Sequence, residues 1–204
     1  MPTLRFRLPG DWWATSLLDR EAAIAAATRL IRHRIGTTDD RSALRARLRR
    51  EFTAAIDEAI AGNGQSMFLA IQLVDGLPLP ITITVYLLDV ELVPAVGTRG
   101  DRVLGILRQG LEGSADTGDL TALELAGTSA LRRDRIRATA VGSGDDSGSL
   151  DVLIVDYWLA VPDTKRVVLV NFSTSMAGLR EHLLPFFDAL MRVAYWEKQQ
   201  QPDR

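Results

Sequence analysis

The chain contains no cysteine. That absence removes disulfides, thiolate nucleophiles and zinc–thiolate sites together, and it leaves the redox compartment open. Only two histidines are present, His33 and His182, so imidazole chemistry has two seats at most. Lysine is nearly missing: 22 arginines stand against two lysines. The bias reads as the coding preference of a high-GC bacterial genome, since no physical demand for guanidinium is visible. No charge of one sign dominates either. A net charge of -2 and a pI near 5.7 argue against a globally basic nucleic-acid binder. No apolar run approaches the roughly 20 residues of a membrane span. The opening "MPTLRFRLPGDWW" alternates apolar with charged residues, where a signal peptide carries a continuous apolar stretch. The expected location is the cytoplasm.

What is present is a core. Of 204 residues, 47% are apolar, enough for one domain over 1–204 without staples. Residues 3–8 alternate Leu4, Phe6 and Leu8 with Arg5 and Arg7, the period of a half-buried strand. Pro9, Gly10 and Asp11 turn the chain. Two helices are expected over 19–34 and 39–61, as a hairpin inserted at about 17–62. "GNG" at 62–64 stops the second, with a glycine for the left-handed position. The period then changes to that of strands in "MFLAIQLV", "ITITVYLL", "LTALELAG" and "SALRRDRIRAT", with a short helix in "TRGDRVLGILRQGLEG". "VGSGDDSGS" reads as a polar surface loop. The clearest hairpin is "DVLIVDYWLAV-PDTK-RVVLVNFST". Symmetric pairing about Asp163 and Thr164 sets Tyr157 opposite Val170, Leu159 opposite Val168, Trp158 opposite Leu169 and Asp156 opposite Asn171. Both faces are mostly apolar, which in an antiparallel sheet demands cover on both sides. Residues 176–198 supply a last helix, kinked or restarted at Pro185. The expected fold is α+β: a three-layer α/β/α sandwich around a mainly antiparallel sheet, with sheet and C-terminal helix spanning 66–198.

The order "LPGDWW", then "YWLAVPDTKRVVLVNFSTS", then "HLLPFFDALMRVAYW" resembles the PsbP-like α/β/α sandwich superfamily. That superfamily includes LpqN-type lipoproteins and bacterial secretion chaperones. The resemblance covers roughly 3–13 and 66–198 and lies in packing motifs. It implies a protein-binding adaptor or chaperone-like module tied to secretion or the envelope, not an enzyme.

The residues themselves offer little chemistry. G-x-S-x-G, the P-loop and G-x-G-x-x-G are all missing. His33, at the basic end of the first helix, and His182, beside Glu181, read as surface histidines. "DDSGSLD" lacks the ligand alternation of a calcium loop, so no metal and no cofactor are expected. The arginines of "RSALRARLRRE" surround a helix, and Arg133, Arg135 and Arg137 share one side of a strand. Both sets read as solvated or ion-paired faces, suited at most to an acidic protein partner. Neighbours on a strand point to opposite sides. One of Trp12 and Trp13 is therefore expected to plug the core. The other, with Arg45 and Arg49, makes the candidate partner surface. Asp156 is the most informative polar residue: on a covered face a carboxylate needs a partner. Asn171 or an arginine of 131–137 can provide it. Asp156, Trp158 and Asn171 therefore mark the alternative to an adaptor, a small-molecule or lipid pocket between sheet and helices.

Overall fold

Strand periodicity and helix caps become the following order in the computed structural model, which describes residues 2–72, 80–89, 97–113, 118, 120–125, 128–141 and 148–197. Strand β1 is Thr3–Arg5 and β2 is Asp11–Ser16. Helices α1 (Arg20–Ile35) and α2 (Ser42–Ala61) follow, then β3 (Gly64–Gln72) and β4 (Ile81–Leu88). Helix α3 is Gly100–Glu112, β5 is Thr121–Leu125, and the long strands β6 (Thr128–Val141) and β7 (Gly148–Ala160) come next. Strand β8 (Val167–Thr174), helix α4 (Arg180–Arg192) and β9 (Tyr195–Glu197) complete the order. The connection at 75–79 and most of the Gly/Ser loop, 142–147, lie outside the described residues.

The main sheet has seven antiparallel strands in the order β2-β3-β4-β8-β7-β6-β5. With helices on its two faces, the fold is an α+β sandwich. All four pairings expected for the β7–β8 hairpin are present, and Asp163 takes a positive φ of 60° in the turn between them. Asp19 caps α1 by accepting from the Ala22 N–H at 3.0 Å.

Four expectations need correction. The alternation over 3–8 yields only a three-residue β1, because the chain turns away before Phe6 finds a strand partner. The last helix does not reach 198. It ends at Arg192, and Tyr195–Glu197 pair with β1 in a separate two-stranded sheet. Pro185 lies inside α4 and is not a fresh start, since the helix already begins at Arg180 behind a 3-10 turn at Ala177–Leu179. At the end of α2 it is Asn63, not a glycine, that takes the left-handed conformation (φ 62°). Gly64 serves a different need: a Cβ there would stand 2.6 Å from the Ala59 carbonyl oxygen and 2.7 Å from Leu17.

The two sheet faces are covered differently. On one, Leu153, Val155, Tyr157, Val170 and Phe172 pack under α4, and Phe187 stacks on Phe172 with centroids 4.6 Å apart. The opposite face carries two separate covers. Helix α3 lays Val103 and Leu104 on Leu131 and Trp158, while α1 and α2 bring Ala27, Ile56 and Ala59 to Met67 and Tyr86. Between these two covers the face stays open.

Candidate functional site

Two rows of side chains cross the open stretch. One runs Met67, Thr84, Asn171, Asp156, Arg133; the next runs Leu69, Thr82, Ser173, Ile154, Arg135. Period-two alternation on five paired strands puts all ten on one face. Phe52, Ala55 and Ala59 of α2 form one wall, and Arg135, Arg137 and Thr139 of β6 form the other. Together they bound a cleft of about 710 Å³. Its floor mixes apolar side chains with hydroxyls and one amide.

Asp156 is the anchor of that floor. It is 4% exposed. Arg135 Nη1 donates to its Oδ2 at 2.5 Å, and Asn171 Nδ2 donates to its Oδ1 at 2.6 Å. Both partners that the sequence offered for this carboxylate are therefore used. Burying a carboxylate is costly unless it is paired and hydrogen-bonded in this way. Trp158 does not join the cleft: it is 4% exposed in the α3 cluster, with the Arg133 guanidinium 5.2 Å over its ring. Asp156 and Asn171 line the cleft, and Trp158 lies outside its lining. The arginines of β6 are thus not one solvated face. Arg133 is buried, Arg135 is largely buried and paired, and Arg137 is exposed at the cleft.

The candidate partner residues are scattered. Trp12 packs against the α4-side core and donates its indole N–H to the Pro9 carbonyl at 2.7 Å. Trp13, on the other face, meets Phe52 edge-on with centroids 6.1 Å apart. Both tryptophans are half-buried, so neither is an exposed platform. Arg45 holds the α1–α2 connection together, donating to the carbonyls of Gly36 (3.2 Å) and Thr38 (2.7 Å). Arg49 is exposed on the outer side of α2, in a shallow depression that excludes the tryptophans. His33 and His182 are exposed on α1 and α4, away from the cleft lining. Among the described residues no three His, Asp or Glu gather as a metal site, and no helix is long and apolar enough to cross a membrane.

One network had no forewarning in the sequence reading. Asp188, 8% exposed on the sheet side of α4, accepts from Tyr157 Oη at 2.6 Å and from Arg132 Nη1 at 2.6 Å. Burial, then the bond to Asp188, push the Tyr157 phenol well above its ordinary range. Arg180 adds a bond to Asp134 at 2.6 Å beside it. A carboxylate amid Leu184, Phe187 and Met191 was the available signal. These contacts clasp α4 to the sheet and lie away from the cleft.

No protein-family model matches the chain, and no curated protein matches it. Among solved structures it is similar to LpqN of Mycobacterium tuberculosis, a protein involved in cell envelope biogenesis. The identity is 10%, the match covers 97% of this chain and 85% of that one, and the TM-score is 0.43. This is a weak structural resemblance, too loose to carry a function across.

Proposed function

We propose that this chain is a non-enzymatic binding protein that holds a small amphipathic molecule in the cleft between α2 and the sheet. The observation that carries the reading is the lining: about 710 Å³ bounded by apolar side chains above a fixed Asp156–Arg135–Asn171 network. Ligand sites have this size and this mixture, apolar walls with a few placed polar groups that fix orientation. Both histidines stand away from the lining, which supports binding without turnover. A cytoplasmic location belongs to the same proposal.

A second reading is a protein-binding adaptor or chaperone-like module, the role that the PsbP-like packing motifs imply. Its support is the outer side of α2, where Arg49 and Arg50 are exposed beside Ala46 and Thr53 and suit an acidic partner.

The test uses the dye 1-anilinonaphthalene-8-sulfonate and the full chain. Saturable binding is expected, and Ala55→Trp, at an exposed position of the α2 wall, should fill the cleft and abolish it while the protein stays folded. Unchanged dye binding by that variant would overturn the cleft reading. Capture of an acidic protein lost on Arg49→Glu, with no dye binding at all, would favour the adaptor.

A further inference from the structure

We infer that the β6 wall of the cleft receives an anionic headgroup, so that the occupant is an amphipathic carboxylate or phosphate and not a neutral apolar molecule. This rests on the ligand-binding reading above and names the chemistry of its ligand.

The floor of the cleft is costly to bury. Arg135 and Asp156 have side chains only 27% and 5% exposed. A buried ion pair contributes little net stability, because desolvation offsets most of its attraction. What it does supply is orientation. Asp156, held from its other oxygen by Asn171, fixes the Arg135 guanidinium through Nη1 alone. A guanidinium carries five N–H donors in a rigid fork, so the remaining edges of Arg135 stay available to a second acceptor.

Arg137 completes the site. It lies two residues further along β6 on the same face, roughly 7 Å away, and also lines the cleft. Among the described residues it has no ion-pair partner. Asp156 neutralises Arg135, so this wall keeps one uncompensated positive charge. The other carboxylates of the cleft lining, Glu51 and Glu58, belong to α2 on the opposite wall. Helix α2 packs over β3 and β4, and β4 is three strand spacings from β6, roughly 14 Å. Glu51 is also partly compensated by Arg47 at 3.7 Å. An anion at the β6 wall therefore meets two guanidiniums, with the Thr139 and Ser173 hydroxyls also in the lining. From there an apolar tail can run over Ile154 and Leu169 toward Met67 and Phe52.

The experiment is calorimetric titration of the full chain with decanoate, decyl phosphate and decanol, repeated on Arg137→Gln. Arg137 is exposed, so the variant is expected to keep the parent melting temperature. Both anions should bind at least about tenfold tighter than the alcohol, a gap that narrows as salt rises. Arg137→Gln should remove most of that gap while leaving decanol binding as it was. The stronger of the two anions identifies the headgroup. Decanol binding as tightly as the anions would overturn the inference and leave the cleft reading standing. So would full affinity for decanoate in Arg137→Gln. If none of the three probes binds, both readings fall together.

Discussion

The two faces of one sheet were built from the same strands and came out different. Beneath α4, Tyr157, Phe172 and Phe187 are each fully buried, and their rings meet edge-on and stacked. On the opposite face of the same β7 and β8, Ile154, Leu169 and Ser173 line a cleft. Alternation makes both faces available, but a face becomes core only where a helix with enough large side chains lies across it. Helix α4 carries Leu183, Leu184, Phe187, Leu190 and Met191 toward the sheet. The buried positions of α1 and α2 are mostly alanines, with Ile31 and Ile56. A helix that buries alanine sits close but covers little. The hairpin thus seals β3 and β4 and leaves the middle strands open.

This contrast can be broken by experiment, beginning where the effect is largest. A fragment of residues 1–64 keeps α1 and α2 but loses the β3 and β4 surface they pack on, and it should give collapsed amide dispersion in NMR. Well-dispersed signals would make the hairpin a folding unit of its own. Next, Phe187→Ala should destabilise by about 3–5 kcal/mol in denaturant titration, the usual cost of emptying a packed aromatic site. Leu169→Ala on the cleft side should cost less, about 1–2 kcal/mol, because part of its surface already faces the opening. Equal costs would mean that the cleft is closed in solution.

A pH experiment sharpens the same comparison. The Tyr157 phenol is held protonated by burial and by its bond to Asp188, above an ordinary value of 10.0. Below that pH, folded and unfolded chains both carry the proton. Above it the unfolded chain releases the proton and the folded chain does not, so stability falls as pH rises. Tyr157→Phe should therefore lose less stability than the parent between pH 9 and 11, read from denaturation midpoints. At neutral pH the same change should cost about 1 kcal/mol for the lost hydrogen bond. The smallest effect belongs to the cleft rim: Arg137→Gln should leave stability within about 0.5 kcal/mol. A larger loss would make that arginine a structural residue.

Several elements were legible from local pattern. The β7–β8 register followed from a two-residue hinge at Asp163 and Thr164, since a short turn leaves the strands one way to pair. Strand β4 and helix α3 followed from their periods, and the need for a partner at Asp156 followed from burying a carboxylate. The candidate site was only half legible. Asp156 and Asn171 were found because they share the readable hairpin. The β6 arginines were expected beside Asp156, but Phe52, Leu69 and Thr82 were not placed with them, because their helix and strands lie far from the β7–β8 hairpin along the chain.

The amino-acid pattern by itself determined the elements, the two-faced hairpin and the sandwich class, because each is written in periodicities and turns of a few residues. Tertiary structure alone decided three things. It set β2 beside β3 across the whole α1–α2 hairpin and packed both of its faces, so Trp12 and Trp13 are both half-buried and neither became a platform. Tyr195–Glu197 was taken from the expected last helix and paired with β1, where Leu4 sits opposite Trp196. And two helical covers were spaced so that a cleft remained between them. Each of these is a contact between segments far apart in the chain, and such contacts are chosen by the surface that remains after local structure has formed.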